Sequence, residues 1–521
     1  MSDQQTRRAF MVASGAVGVT GVARSGVAAQ PPNPNPPLPP MGLIIPGVRE
    51  NVAGMGDAHP TVRSYRKAVA EMKRRSQADP TDSLGWTFQA NMHGLPRNGG
   101  QHRDWGWCQH GNWWFLPWHR GYLLFFEDIV RKLSGDDHFR LPYWAWDEAG
   151  QNALPAPFRD PNPLFEASRQ QANLGRPLRP DSPSGSFQMD WANARRTPRF
   201  VGATVELSFG GIRQPKTALP DKPASTDAHG VVESQAHDLI HDALSGIMGS
   251  PRTAAADPIF WLHHANVDRL WNRWLDDRTH GNPPDADWAD QQFPYYDGTG
   301  ARVVVSVAQI LARAQAVYRY DEEVRRPVTA VATTAPPKGD AVPPTVQKVA
   351  SVQPMLALGS TPLTKRLGFA ADARQRVMTA LAPQAAPVAD PPAVILQVEN
   401  ITPPAETDVV YEVYVARAGD PADQRHYIGP ISFFGRRADD HGHAEAGGHG
   451  HAVPAAKGFT QGFDVTELVE RLRRANGGTI PELDVTIVPR STAGVSPDEL
   501  AKRKISIPIT DVSLKLVTVG Q

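Results

Sequence analysis

Histidines in two clusters, far apart along the chain, restrict the folds that this sequence can adopt. His237 and His241 are four residues apart, so a helix would project both imidazoles from one face. His264 and Asp268 have the same spacing, which predicts that this carboxylate fixes the tautomer of a ligand ring. The clustered histidines are His93, His110 and His119 in the first group, and His237, His241, His263 and His264 in the second.

The imidazoles indicate which metal ions the chain would bind. A ligand set of imidazoles, without thiolates or several carboxylates, favours copper or zinc over magnesium or calcium. A single buried histidine is more often a hydrogen-bonded core residue, but two clusters flanked by aromatic residues favour a metal site. Two copper ions, each held by three imidazoles, would bind dioxygen and supply two electrons without an organic cofactor. A structural site filled with zinc is an alternative that the residues alone leave open.

Composition sets the number of folded units and argues against some partners. The 521 residues are more than one compact domain usually holds, so we expect about two folded units with linkers. Lys and Arg total 54, as do Asp and Glu, and this balance gives no overall field that would attract nucleic acid or an anionic membrane. Cys108 is the single cysteine, so no intramolecular disulfide forms.

The beginning of the chain is typical of an exported protein. Arg7 and Arg8 precede a weakly apolar run that ends in small residues, which predicts a twin-arginine signal peptide over residues 1–29. An ordinary basic N-terminus is the alternative. Arg24 interrupts the run, so no membrane anchor is expected. The proline-rich residues 30–46 predict an extended spacer, and the protein is expected to be periplasmic or secreted.

Hydrophobic periodicity predicts a mainly helical domain followed by a β domain. Residues 47–326 contain several segments with the period of amphipathic helices. Residues 327–392, rich in Ala, Pro, Thr and Val, predict a linker, with a short helix over 363–381 as an option. In residues 393–521 apolar and β-branched residues form strand-like runs, which predicts a separate β-sandwich. The predicted helices of the first domain are 59–75, 118–132, 232–244 and 257–275.

Two motifs around the histidines resemble the copper signatures of the tyrosinase family, which includes catechol oxidases and molluscan haemocyanins. Residues 110–127 (HGNWWFLPWHRGYLLFFE) match the first signature, and residues 257–268 (DPIFWLHHANVD) match the second, at every defining position. Residues 318–320 (YRY) resemble the tyrosine motif that closes the family's core. Residues 462–465 and 485–490 resemble, more faintly, the C-terminal domain of plant polyphenol oxidases.

The resemblance implies a mainly α catalytic domain, built around a four-helix bundle that holds two copper ions, and a C-terminal β domain. His93 is preferred to His102 as the first ligand, because QANMHG is closer to the family's context for that residue. His263 lies about 100° around the helix from His264, so it is expected to face elsewhere. The implied ligands are His93, His110 and His119 for the first copper, and His237, His241 and His264 for the second.

Three further residues have roles that the resemblance implies. Cys108, two residues before His110, is expected to form a thioether with that ring, and a buried free thiol is the alternative. Glu233 is expected to hold a water near the second copper and to help accept the phenolic proton, unless it is a solvated carboxylate at a helix start. Asp238 follows the ligand His237 at a position thought to influence monophenol hydroxylation, where active members often have Asn.

The implied function is the copper-dependent oxidation of small phenols by dioxygen. It comprises o-hydroxylation of monophenols such as tyrosine and oxidation of o-diphenols to o-quinones, with melanin among the fates of such quinones. Because Asp238 departs from the usual Asn, a catechol or o-aminophenol oxidase without monophenolase activity is an alternative. A haemocyanin-like dioxygen carrier is another. A copper chaperone and a homo-oligomer are further partners that this reading allows.

Two expectations concern regulation and copper supply. As in plant relatives, the β domain is expected to cover the copper site and to insert a side chain as a plug. Proteolysis in the linker would then release the domain. The His-rich loop over residues 441–451 is interpreted as a flexible insertion, and capture of copper in transit is its alternative.

Overall fold

The computed structural model describes most of the chain beyond residue 46. The predicted signal peptide, the proline-rich spacer and the His-rich loop 441–451 lie outside the described residues. Among the helices that are described, none is both long enough and apolar enough to cross a membrane. The described ranges are 47–95, 101–170, 191–325, 343–352, 356–370, 372–382, 390–404, 407–437 and 458–519.

Helices dominate the described chain up to residue 325, and their ends follow local sequence rules. Pro60 and Pro258 stand in the first turns of two helices, where a missing N–H is not needed. Asp257 caps the second of these by accepting a hydrogen bond from the Ile259 N–H. The helices are α1 (Pro60–Ala78), α2 (Trp86–His93), α3 (Phe115–Ser134), α4 (Trp191–Arg196), α5 (Asp238–Leu244), α6 (Pro258–Leu275), α7 (Ala286–Asp290), α8 (Val307–Val317) and α9 (Asp321–Arg325).

The four helices predicted from periodicity are all present. Three of them correspond to α1, α3 and α6, with ends shifted by a few residues. The fourth begins as a single π-helical turn over Glu233–His237 and continues as α5. Such turns occur frequently at functional sites, since the extra residue per turn re-aims a side chain.

Helix α3 lies at the centre of the helical region and is buried along most of its length. Phe126 on α3 stacks on Trp261 of α6, with ring centroids 3.5 Å apart. Tyr65 of α1 meets the same Phe126 edge-on at 6.2 Å, and Trp86 of α2 contacts Trp261 at 6.3 Å. Aromatic packing of this kind is both strong and geometrically specific. It fixes α1, α2, α3 and α6 around one core.

A buried charge network joins the two ends of the helical region. Strands β1 (Gly47–Arg49) and β4 (Tyr318–Tyr320) pair in parallel, and Arg49 donates to Asp268 at 3.2 Å. Arg120 donates to the same carboxylate at 2.5 Å, as do the hydroxyls of Tyr318 at 2.5 Å and Tyr320 at 2.6 Å. The prediction that Asp268 orients a ligand histidine is therefore wrong, because arginines and tyrosines take up its oxygens. A hairpin of β2 (Gln292–Tyr296) and β3 (Arg302–Ser306) packs nearby.

The C-terminal region is built on an eight-stranded antiparallel sheet in the order β10-β9-β12-β7-β5-β14-β8-β11. Strands β6 and β13 form a separate pair. The strands are β5 (Thr345–Ser351), β6 (Leu356–Gly359), β7 (Leu363–Phe369), β8 (Ala393–Ile401), β9 (Val409–Arg417), β10 (His426–Ile431), β11 (Phe459–Asp464), β12 (Leu483–Ser491), β13 (Ser506–Ile509) and β14 (Asp511–Thr518), with helices α10 (Ala373–Ala380), α11 (Thr466–Ala475) and α12 (Pro497–Leu500).

These strands form one continuous sheet and not a sandwich of two separate sheets. Two residue pairs between β5 and β7, Ala350–Phe369 and Ser351–Gly368, join the two four-stranded halves into one sheet. The halves bury their apolar side chains in one shared core, to which both Leu396 and Val413 contribute. The β domain is therefore a nearly closed sheet, and the β-sandwich prediction was wrong in this detail.

The predicted linker is wrong over residues 345–380. Strands β5, β6 and β7 and helix α10 all lie within it, and Leu358 and Leu367 are buried in the core of the β domain. The optional helix over 363–381 is present only as α10, because residues 363–367 pair with β12 and residues 368 and 369 pair with β5. Pairing with a partner so distant in the chain leaves little trace in local composition.

The β domain packs directly on the turn that carries the second histidine cluster. The Asn193 side chain donates to the carbonyl of Ile428 on β10 at 3.0 Å. Beyond β10, the Ser432 hydroxyl and the Phe433 N–H donate to Asp242 of α5 at 2.5 and 3.1 Å. Residues 41–521 accordingly form one compact unit.

Candidate metal centre

The first histidine cluster comes from three short stretches of chain. His93 is the last residue of α2, His119 lies in the second turn of α3, and His110 stands in the loop before α3. One donor atom each from His93, His110, His119 and Cys108 lies within 4.8 Å of the others. His102 is outside this group and packs against Phe88 at 5.0 Å.

The second cluster is carried by α5, the turn before it, and α6. One donor atom each from His237, His241, His263 and His264 lies within 4.8 Å of the others. The Nε2 atoms of His237 and His241 are 3.0 Å apart, as their spacing of four residues predicts. His263 was expected to face elsewhere, and this is wrong, since its ring lies 4.8 Å from that of His241. A rotation of about 100° around α6 still leaves that side chain on the side facing α5.

The two clusters are in direct contact. The rings of His119 and His264 stack with centroids 4.0 Å apart, and those of His110 and His237 are separated by 5.8 Å. Seven imidazoles from distant parts of the sequence therefore converge on one volume.

Hydrogen bonds on the outer side of the rings direct the free nitrogens inward. The Nδ1 atoms of His93, His119 and His241 each lie 2.8 Å from a backbone carbonyl, which can only accept, so each Nδ1 carries the proton. Nδ1 of His237 donates in the same way to Asp238 at 2.8 Å. Metal-binding histidines are normally oriented by such outer bonds. Nε2 of His93 and both nitrogens of His264 are buried without a partner, which fits a metal ion that would complete their bonding.

Burial keeps these imidazoles neutral and ready to bind metal. It lowers the pKa of His93 to about 3 and holds the pKa values of His110, His119, His241 and His264 well below their usual range. Only the neutral ring has a lone pair to donate. Imidazole donors of this kind suit copper and zinc.

The metal-free chain is expected to lose stability as the pH falls below 6.5. In the folded state His93 resists protonation down to a pKa of about 3, whereas the unfolded chain takes up this proton near pH 6.5. In that window each histidine that stays neutral lowers the free energy of unfolding by about 1.4 kcal/mol per pH unit. Urea unfolding at several pH values across this window measures how steeply the free energy of unfolding changes with pH. A His93→Asn variant should show a shallower slope, and equal slopes would contradict the assignment.

Cys108 lies against two rings of the first cluster. Its Sγ atom is 3.4 Å from His110 Nδ1 and 3.4 Å from His119 Nε2. Burial raises the pKa of this thiol, so it is held as the uncharged S–H. The predicted thioether to His110 has its two partners in contact, and its formation stays a prediction.

Glu233 and Asp238 lie behind the histidines. Both Glu233 carboxylate oxygens are 3.1 Å from the Gly111 N–H, and burial raises its pKa well above the usual range. Glu233 is thus not a solvated carboxylate. Burial alone would also raise the pKa of Asp238, but hydrogen bonds and attraction from His229 and His237 outweigh it and hold the pKa low.

Two residues that the sequence did not point to also belong to this region. His229 donates to Asp238 from Nδ1 at 2.7 Å, and its ring lies nearly parallel to that of His110 at 6.1 Å. Phe434, from the chain after β10, stacks on His241 with centroids 3.9 Å apart and planes within 9°. Nothing in the local sequence separates these two from ordinary core residues, because only tertiary packing brings them here.

Comparison with known proteins agrees with this arrangement. Residues 83–277 match the common central domain of tyrosinase, and residues 345–508 match a domain of unknown function, DUF7868. A tyrosinase of Hahella sp. (strain CCB-MM4) is 28% identical over 492 residues, covering 85% of this chain and 95% of that protein. A polyphenol oxidase of Vitis vinifera is 31% identical over 279 residues, covering 50% of this chain and 45% of the grape protein.

Solved structures show the same fold. Latent aurone synthase, a polyphenol oxidase, superimposes with a TM-score of 0.57 at 21% identity and covers 94% of this chain and 92% of its own. Latent apple tyrosinase gives a TM-score of 0.57 at 21% identity, covering 93% of this chain and 99% of its own. The chain spans about half the length of the plant relatives matched by sequence, and 95% of the Hahella protein. Residues 83–277 hold every clustered histidine, so the part of the chain that carries the candidate metal centre is similar to the common central domain of tyrosinase.

Proposed function

We propose that this chain oxidises o-diphenols to o-quinones with dioxygen, through two copper ions held by its clustered histidines. The observation that carries the proposal is the meeting of two imidazole groups whose outer nitrogens are bonded and whose inner nitrogens share one volume. The helices that carry them would form the expected four-helix bundle. His93, His110 and His119 would hold one copper, and His237, His241 and His264 the other.

The two coppers, when bound, would supply the electrons that reduce dioxygen while the diphenol loses two electrons and two protons. The chain's own residues hold the ligand rings in place and exclude water from the metal centre. Backbone carbonyls fix three ligand rings through their Nδ1 protons, and each clustered histidine is at most 7% exposed, which keeps bulk water away. A closed, apolar surround strengthens the interactions between charges inside it.

Glu233 is the residue that we propose as the acceptor of a phenolic proton. It is buried behind Gly111, next to the ligand His110, and the raised pKa of its carboxyl makes its ionised form a stronger base than an exposed glutamate. This placement favours a second candidate activity, the o-hydroxylation of monophenols, which also requires removal of the phenol proton.

Asp238 is proposed to act through the ligand His237, which both candidate activities need. One of its oxygens accepts from His237 at 2.8 Å and the other from His229 at 2.7 Å. An asparagine would turn an NH2 group toward one of these N–H donors, so this pair of histidines explains the aspartate. With one hydrogen bond accepted by each oxygen, Asp238 positions the ligand His237 and the buried His229.

Turnover of two substrates tests the proposal. The copper-loaded, full-length chain is expected to oxidise L-DOPA, seen as quinone absorbance, and to act on tyrosine more slowly. Equal rates on both would favour hydroxylation as a main activity. Reversible oxygenation without any quinone would contradict the proposal and indicate a dioxygen carrier. Zinc as the native metal would contradict it too.

Adjacent histidines on α6 allow a matched test of the ligand set. His264→Asn is expected to leave one copper per chain, because His264 provides the third imidazole of its copper. His263→Asn is expected to keep two, although its ring is equally buried. Copper per chain, measured by atomic absorption after dialysis, distinguishes the two. The reverse result would assign His263 as the ligand.

Several predictions stay as proposals. Export by the twin-arginine route, delivery of copper by a chaperone and self-association concern residues or partners outside the described structure.

A further inference from the structure

A cleft of about 450 Å³ lies where the β domain meets the helical region. Residues of both contribute to its wall, among them Glu206 and His229 from the helical region and Arg436 and Gln461 from the β domain. The cleft reaches the back of the metal centre, since His229 is also the neighbour of His110.

His229 has the bonding pattern of a metal ligand, although it belongs to neither cluster. Its Nδ1 donates to one oxygen of Asp238, while Nε2 is buried and has no partner. His237 donates to the other oxygen of the same carboxylate. A carboxylate that fixes one ring nitrogen and leaves the other for a metal ion is the usual arrangement around bound metal. Asp238 therefore orients one imidazole within the metal centre and a second one outside it.

The surroundings of His229 suit a cation. Donor atoms of His229, Glu233 and Asp238 all lie within 4.8 Å of one another, and all three residues are buried. His229 Nδ1 lies 3.7 Å from Glu233 Oε1 and 2.7 Å from Asp238 Oδ2, so both carboxylates stand on the Nδ1 side of the ring and act on an ion at Nε2 through their charge. The one buried arginine nearby, Arg436, interacts with both of these carboxylates and also with those of Asp227 and Asp242. Asp242 is shared with Arg437 at 3.6 Å, and the other three carboxyl groups still outnumber Arg436, which lowers the energy of a positive ion at the inner end of the cleft.

The histidines of the metal centre are shielded from solvent in the described structure. They are at most 7% exposed, and Phe434 lies flat on His241. An ion that reached His229 would be one ring away from the first cluster, because the centroids of His229 and His110 are 6.1 Å apart.

We propose that His229, oriented by Asp238, is a transit ligand whose free Nε2 holds copper on its way from the cleft to the metal centre, while the carboxylates of Asp238 and Glu233 supply negative charge nearby. The inference rests on the proposed function, in that the centre is taken to bind copper. The ion binds first at the cleft, then exchanges its ligands for those of the first cluster. The site thereby lets a chain whose β domain is already docked acquire its metal.

The variant that isolates this role is His229→Asn. An asparagine side chain keeps an N–H where Nδ1 stands, so Asp238 retains its partner, but it has no group in place of Nε2. His138→Asn is the matched control, since His138 is an exposed histidine of the same region. Metal-free, full-length protein is mixed with copper(I) held by bicinchoninate, and the loss of the chelate's colour gives the rate of uptake.

Wild type and H138N are expected to take up two coppers per chain at one rate, and H229N to reach the same content about tenfold more slowly. Adding F434A, which opens a direct path, should remove the delay caused by H229N. Equal rates for H229N and wild type would overturn the transit site. A delay that persists with F434A would also overturn it, by showing a structural effect. A wild-type chain that takes up no copper would instead overturn the proposed function.

Discussion

Replacing Phe434 with alanine is expected to raise kcat/KM for catechol in the full-length, copper-loaded chain by about one to two orders of magnitude. The ring is fully buried and stacks on His241 at 3.9 Å, where a phenol ring would need to approach the second copper. We propose that Phe434 is the plug expected from the sequence; substrate would then bind only after this ring has moved away, and the apparent affinity would fall with the fraction of open molecules.

The size of this effect follows from the burial of one aromatic side chain. Burial of one phenylalanine side chain stabilises the closed state by about 1.5–3 kcal/mol. Each 1.4 kcal/mol changes the ratio of closed to open molecules about tenfold. Loss of the ring shifts this ratio toward the open state. Initial rates of quinone formation over a range of catechol concentrations give kcat/KM directly.

A leucine at the same position is the matched control. Phe434→Leu keeps an apolar side chain of comparable length over His241, so its kcat/KM is expected to stay much closer to that of the wild type. If the alanine and wild-type chains have equal kcat/KM, Phe434 does not restrict access and the shielding role of the β domain fails.

Replacing Asp268 with asparagine is expected to lower the free energy of unfolding by about 3–5 kcal/mol. The carboxylate is buried, accepts hydrogen bonds from two arginines and two tyrosines, and neutralises Arg120 in particular. The neutral amide leaves that guanidinium buried without a counter-charge, and its NH2 group opposes donors on every side.

Urea unfolding of the metal-free chain measures this change and separates it from metal binding. Asp57→Asn is the control, because Asp57 pairs with Arg66 at the surface and is 73% exposed, where such pairs contribute at most about 1 kcal/mol. A D268N chain as stable as D57N would show that the network does not hold β1 and β4 against the helices.

Local sequence was sufficient to locate most of the metal centre. The spacing of His237 and His241 on one helix face, and the two motifs, led to residues that the structure brings together. Helical periodicity is a local property, so α1, α3 and α6 were predictable to within a few residues at each end.

What could not be predicted depends on contacts between distant segments. The position of His263 depends on how α5 packs beside α6. The position of Phe434 depends on how the chain after β10 packs on α5. Asp268 has the spacing of a ligand-orienting carboxylate, yet its neighbours are Arg49 and Tyr320, which come from opposite ends of the helical region. Asp238 takes that orienting role instead.

The strands β5 to β7 were missed for a related reason. Their composition, with alanines, prolines and charged residues, is typical of a linker, and they become strands by pairing with β14, β13 and β12 respectively. Strand formation of this kind is set by the partners more than by the segment itself.

His241 and Asp242 are consecutive residues that contact two different parts of the molecule. One belongs to the second histidine cluster, and the other holds Ser432 and Phe433, the residues just before Phe434. Any shift of this helical turn on metal uptake is passed to the seat of the β domain, and by thermodynamic reciprocity the seated domain alters metal affinity by the same factor. On the proposal that the β domain covers the metal centre, the occupancy of the centre would then change how readily that domain separates from it.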